Sequence, residues 1–296
     1  MKKEIIFLTA FSDKIGYGHL NRCLNFQKII ENKFKKTLIY SIGKKKFKNT
    51  IQLKSIHKLS KVKNKIIIVD LPKNYLKKYE FLKNKNQLIL VDNYLKHKNS
   101  YSIIPTIIPL VKNKKIKSGK NWIILDPIIN KIRNKNIKQT SRALILFGGS
   151  LVPKNKQIFY FKNFFLEYLF VLGPLVNKKK INFFKKNNIK FVQNPADFFN
   201  LIQSSKYIFT RYGITMYEIL SLKKKPIVFI ENEDNDRKKE INYLKNKQII
   251  DTFHINKTKF NNNFNKKYEI KLNKKNILNL INKIIKNDKV YSGNFK

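Results

Sequence analysis

The chain has 296 residues, 42% of them apolar, with 64 basic against 18 acidic side chains and a formal net charge of +46. The apolar share supports buried cores despite a mean hydropathy of −0.42, which excludes bulk disorder, and no apolar run reaches the roughly 18–20 residues that span a bilayer. A single cysteine, Cys23, excludes an internal disulfide and suits a reducing cytoplasm.

The charge invites a nucleic-acid reading, but its distribution argues against one. The surplus is spread along the whole chain, and the only arginines are Arg22, Arg133, Arg142, Arg211 and Arg237. Readers of bases and phosphates favour arginine for its bidentate fork. Lysine, asparagine, isoleucine, phenylalanine and tyrosine share AT-rich codons, so drift in base composition accounts for the excess. No specific nucleic-acid partner is expected. The charge still draws anionic ligands such as nucleoside diphosphates, screened beyond about 8 Å, and predicts weak association with anionic surfaces.

The opening MKKEIIFLTAFSD has the lysines of a signal peptide, but its apolar run is short, begins at Glu4 and lacks a small-residue cleavage site. It predicts a first strand over 4–9. IGYGHLNRC follows, where Gly16 and Gly18 let a ligand approach the main chain and His19 stands at the mouth of a helix over 19–34. An imidazole there can exchange a proton near neutral pH, as a general base must. A tight turn with a capping histidine explains the same residues. Asn21 occupies the place of the third glycine of a dinucleotide fingerprint, so that motif is absent. Leu20, Cys23, Leu24, Ile30 and Phe34 share one side of the helix. Arg22 points the other way and is assigned, with Gly16 and Gly18, to substrate binding.

Strands are predicted over 37–42, 65–70 and 87–92, with a weaker one over 106–109, and a helix over 74–83. Polar stretches at 113–120 and 130–139 then divide the chain into domains 1–138 and 139–296. The second series opens with RALILFGGS, where Gly148 and Gly149 bind phosphate through their amides or simply turn the chain. Strands follow over 168–172, 189–193, 207–210, 226–230 and 249–253. Helices are predicted over 155–165, 178–187, 196–203, 214–222, 234–245 and 275–287. The alternation predicts an α/β protein of two doubly wound, Rossmann-like domains facing across a cleft, with ligands beyond the C-terminal strand ends.

In RYGITMYEIL, Gly213 and Thr215 offer an amide and a hydroxyl to phosphate, while Met216, Ile219 and Leu220 form a buried side that directs Glu218 away from the core. Spacing alone favours a solvated Glu218 over a ribose ligand. FIENEDNDRKK ends a strand with Asn232, then Asp234-Asn235-Asp236. Asp-X-Asp holds a divalent metal in some glycosyltransferases, but acids opening a helix read better as caps. The chain has no zinc spacing and no Walker loop, and a cysteine on the core side of a helix makes a poor nucleophile.

Together these segments resemble the UDP-sugar hydrolases of pseudaminic acid biosynthesis, relatives of GT-B glycosyltransferases such as MurG. Its most specific parts are IGYGHLNRCL and the run from NIKFVQNPADFF to PIVFIENE. The resemblance implies a GT-B-like fold and release of UDP from a UDP-linked diacetamido-trideoxy sugar, in nonulosonic-acid or surface-glycan precursor synthesis, without a cofactor or required metal. It implies His19 and Asn232 as catalytic and Gly148, Gly149, Gly213, Thr215 and Glu218 as UDP-binding. Leu8 and Ala10 stand where the family usually has arginine and aspartate, Leu71-Pro72 where a tyrosine is common, and Glu233 where it has glutamine. These departures leave a different sugar, a glycosyltransferase or a weakened relative as alternatives.

Overall fold

A computed structural model describes residues 4–12, 15–34, 36–43, 47–108, 113–149, 152–230, 235–253, 270 and 273–292. The chain forms two compact units, one of Met1–Phe11, His19–Pro127 and Lys271–Lys296, the other of Ser12–Gly18 and Ile128–Ile270.

The first unit contains β1 (Ile5–Ala10), α1 (Gly18–Ile30), β2 (Thr37–Ile42), β3 (Ile51–Leu53), β4 (Ile66–Asp70), α2 (Leu76–Tyr79), β5 (Gln87–Val91), β6 (Ser100–Ile104) and β7 (Ile116–Ser118). They build a parallel sheet in the order β3-β2-β1-β4-β5-β6-β7. IIFLTA and IIIVD are buried at every position. Strands covered on both faces read as such continuous apolar runs rather than alternating ones. The chain leaves β1 for β2 on one side and later returns to β4 on the other. That reversal makes the carboxyl ends of β1 and β4 the ligand-binding edge of such a sheet. Leu20, Cys23, Phe26, Ile29 and Ile30 of α1 are buried.

Three strands differ from expectation. Residues 106–108 are irregular, while β6 and β7 form on either side of them, β7 inside the stretch read as a linker. The SYSII of β6 buries Ser100 and Ser102, so its polar lettering hides a core strand. The three-residue β3 adds the other sheet edge. The helix expected over 74–83 is α only at Leu76–Tyr79, with 3₁₀ turns on both sides and no side-chain cap.

The second unit contains α3 (Ile129–Ile132), β8 (Thr140–Leu146), α4 (Asn155–Phe164), β9 (Tyr168–Leu172), α5 (Lys178–Lys186), β10 (Phe191–Gln193), α6 (Phe198–Ser204), β11 (Ser205–Thr210), α7 (Ile214–Ser221), β12 (Ile227–Phe229), α8 (Asn235–Asn246) and β13 (Asp251–Phe253). Its parallel sheet runs β10-β9-β8-β11-β12-β13, reversing between β8 and β11. Phe161 anchors the core, 4.7 Å from Phe209 and edge-on to Phe170 and Phe229. Such edge-to-face contacts add to the burial of area.

The units differ from the division at 138/139. The first ends at Pro127, and the final helix, α9 (Lys274–Ser292), belongs to it. Ile277, Leu280, Ile281 and Ile284 of α9 are buried, and the helix packs by the 3₁₀ turn Lys120–Trp122. An apolar stripe of this kind follows whichever sheet has a face left to cover.

Candidate functional site

Three parallel strands of the first unit bring their carboxyl ends together. Thr9 on β1 pairs with Asp70 on β4, and Val69 with Leu90 on β5, so Asp70 and Asp92 project from neighbouring strand ends. The Asp70 side chain has no exposed surface. His19 Nδ1 lies 2.6 Å from its Oδ1, Arg22 Nε donates to Oδ2 at 2.6 Å, and Arg22 Nη2 donates to Oδ1 at 2.7 Å. Arg22 Nη2 also stands 3.8 Å from Asp92 Oδ2, whose side chain is 50% exposed. Asn93 Nδ2 donates to Leu71 O at 2.9 Å and ties the two strand ends together.

Burial pushes the Asp70 carboxyl upward, but the charge and hydrogen bonds of Arg22, joined by His19, outweigh it and hold the group below the usual carboxylate range. Asp70 is therefore an anion. An anionic carboxylate only accepts, so the neutral imidazole must carry its proton on Nδ1 and present Nε2 as a lone pair. The same anion stabilises the ring once Nε2 is protonated. His19 keeps 22% of its side chain exposed.

Arg22 requires a correction. It does not point to solvent: its side chain is 14% exposed and its guanidinium makes two bonds to Asp70. A carboxylate buried at a strand end needs a counter-charge, and Arg22, the fifth residue of α1, supplies it.

The glycines of the first motif turn the chain. Gly16 has φ +83°, and its amide donates to Ser12 O at 2.7 Å, while Ile15 N donates to Ser12 Oγ at 3.1 Å. That amide is taken by the turn itself. Gly18 opens α1 with nothing within 4 Å of a notional Cβ. Tyr17 falls with the second unit, where a Cβ on Gly149 would collide with its backbone and Cβ. Close approach is thus one reason for Gly149. Gly148 sits at φ +86° in open space.

In the second unit Thr210 of β11 pairs with Leu146 of β8. The Gly148-Gly149 turn and the start of α7 therefore leave neighbouring strand ends at the reversal of this sheet. Gly213 caps α7 at φ +152°, ψ −163°, a region essentially confined to glycine, and Thr215 is half-buried. Tyr212 and Tyr217 donate to the two oxygens of Glu240 on α8, at 2.6 and 2.7 Å. Burial, with Tyr212 and Glu240 adding to it, pushes the Tyr217 phenol well above its ordinary range.

Glu218 also requires a correction, being 3% exposed rather than directed away from the core. Every residue from Met216 to Ser221 is buried, so α7 has no solvent face for it. Asn232 and Asp234 lie outside the described residues. Among the described residues no three His, Cys, Asp or Glu side chains gather as a metal site.

Asp70 and Asp92 are the residues that motif reading passed over. Their signal was present: IIIVD and LILVD are apolar runs that each end in an acid, in a chain that carries Gly16-Tyr17-Gly18-His19 after its first strand.

Two parallel α/β units of this construction define a GT-B-like protein of two Rossmann-like domains. No protein-family model and no curated protein matches the chain. Among solved structures it is similar to the UDP-GlcNAc 2-epimerase of Methanocaldococcus jannaschii in complex with UDP-GlcNAc and UDP, with a TM-score of 0.56, 15% identity, and coverage of 94% of this chain and 99% of that one. The UDP-GlcNAc 2-epimerase of Neisseria meningitidis bound to UDP-GlcNAc aligns at a TM-score of 0.45 and 12% identity over 97% of this chain and 93% of that one. Medicago truncatula UGT71G1 complexed with UDP-glucose aligns at 0.45 and 11% over 86% and 85%. Likeness at these identities speaks to fold alone.

Proposed function

We propose that the chain is a UDP-sugar-processing enzyme that releases UDP by hydrolysis, with His19 as general base. The observation that carries this reading is the His19–Asp70–Arg22 assembly at the ligand-binding edge of the first sheet. A water oxygen attacks the anomeric carbon, Nε2 of His19 accepts its proton, and the bond from that carbon to the diphosphate oxygen breaks, UDP leaving with the electron pair. Asp70 fixes the tautomer and stabilises the imidazolium, the part a buried carboxylate plays behind a catalytic histidine. The Gly148-Gly149 turn and the Gly213–Thr215 helix start hold the diphosphate, where amides and a helix N-terminus favour negative charge. Glu218, enclosed as it is, counts against direct contact with a ribose. The UDP-GlcNAc complex of the archaeal epimerase supports the substrate class, and the resemblance in sequence supports a diacetamido-trideoxy sugar.

The test is a panel of UDP-sugars, with and without acceptor saccharides, followed by free UDP and by NMR of the sugar. The proposal expects UDP release that needs no acceptor. Release only on adding an acceptor would make the chain a glycosyltransferase, the second reading that the GT-B-like fold favours. Inversion of the sugar without net UDP loss would make it an epimerase, and absence of UDP binding would remove the reading altogether.

A further inference from the structure

The turn between α4 and β9 carries an apolar patch that the described residues leave uncovered. Leu166 is fully exposed, at 101%, and Phe164 is 55% exposed. The Phe164 ring stacks on Tyr160 with centroids 4.9 Å apart and lies 6.2 Å from Phe165, whose ring is 5.8 Å from Tyr207 at the start of β11. The ring contacts therefore link α4 to β11 through the half-buried Phe165 and Tyr207. Helices between parallel strands run back against them, so α4 and α5 end beside the amino ends of β9 and β10. Lys162 Nζ donates to Asn187 O at the end of α5, 3.0 Å away, and fixes that neighbourhood. Lys162 in the last turn of α4, Lys185 and Lys186 in the last turn of α5 and Lys190 just before β10 are all exposed, and Lys206 Nζ lies 5.2 Å over the Tyr207 ring. Glu167, the acid within this turn, accepts from Ser141.

We propose that this face docks on an anionic lipid surface. Phe164 and Leu166 enter the boundary between headgroups and acyl chains, while the lysines keep their ammonium groups at the lipid phosphates with their stems along the apolar layer. Each lysine so placed multiplies the partition about fivefold, and the aromatic and aliphatic tip confines the protein to one orientation. A second copy of the chain would bring the same lysines against themselves, since a two-fold contact is self-complementary. A nucleic acid would meet the charge but offer Leu166 no apolar layer. The docked edge holds the amino ends of β9 and β10, the opposite end of the sheet from the Gly148 and Gly213 loops, so binding leaves those loops free. The inference stands apart from the enzymatic reading.

The test is flotation of the full-length protein with vesicles of phosphatidylcholine alone or with about a third phosphatidylglycerol. Wild type is expected on the anionic vesicles and not on the neutral ones. Phe164→Ser with Leu166→Ser should lower the partition about tenfold while the variant stays folded, since Leu166 is fully exposed and Phe164, although stacked on Tyr160, is more than half exposed. Lys185→Gln, Lys186→Gln and Lys190→Gln together should lower it at least as far. Three substitutions of exposed lysines in the first unit, Lys58→Gln, Lys61→Gln and Lys63→Gln, should change it less than twofold. An equal loss in that control would assign binding to bulk charge and overturn the proposal. So would wild-type partition of the serine pair, or a vesicle-free dimer that the pair dissolves.

Discussion

Asp70 Oδ1 is shared by His19 and Arg22, at 2.6 and 2.7 Å, so one buried carboxylate oxygen joins two residues three positions apart on α1. The arrangement sets two demands against each other. Arg22 keeps Asp70 ionised in a place where burial alone would neutralise it, and the ion so kept orients the imidazole. Removing any member should be felt both in stability and in turnover.

Asp70→Asn leaves the Arg22 guanidinium largely buried without its anion. Breaking a buried pair in this way costs about 3–5 kcal/mol. Urea denaturation followed by circular dichroism should show a loss of that size, and a loss under about 1 kcal/mol would mean that Arg22 finds another partner.

The acid limb of stability follows from the same residue. The native Asp70 carboxyl lies below its ordinary value, so its contribution is full above about pH 4 and is lost as pH falls through the native value. Wild type should therefore lose stability more steeply than Asp70→Asn between pH 4 and pH 2 (both about), as read from urea midpoints across that window. Parallel curves would contradict the ionised, Arg22-held carboxylate.

Gly18 and Gly149 should separate under substitution by alanine. Gly18 has open space and lies outside the left-handed region, so Gly18→Ala should change stability by no more than about 1 kcal/mol, helped by helix propensity. Gly149→Ala places a methyl into the Tyr17 backbone, and overpacking of this kind costs about 1–3 kcal/mol or more. Thermal melts of the two variants test the contrast, which equal melting temperatures would refute.

Burial raises the Tyr17 phenol to about 12. A proton held more tightly in the native state gives stability that is full below the ordinary value near pH 10 and falls as pH rises toward the native one. Tyr17→Phe should blunt the alkaline loss over that window, and the difference in absorbance near 295 nm (roughly, for tyrosinate) between wild type and variant should titrate there rather than near pH 10. A midpoint at the ordinary value would place the phenol in water.

The sheets were legible because their central strands are unbroken apolar runs, and the turn before α1 was legible because Gly16 and Gly18 flank Tyr17 just ahead of His19. What escaped needed the third dimension. Asp70 is 51 residues from His19 and 48 from Arg22, and only the pairing of β1 with β4 sets them together. Arg22 was misread by a helical wheel that treats a cation opposite the core stripe as solvated, whereas the amino-terminal part of α1 bonds to a buried acid. Glu218 failed in the same way on a helix covered all round. The final helix was assigned by chain order, although packing decides which sheet an amphipathic helix covers. β6 was hidden by two serines that face inward.

The most direct test of the account is turnover by His19→Ala on the UDP-sugar that wild type cleaves fastest, with UDP affinity measured beside it. The account predicts a fall in kcat of roughly 10²–10⁴, unchanged affinity for UDP, and partial recovery of kcat on adding imidazole. UDP release at the wild-type rate by that variant would contradict it.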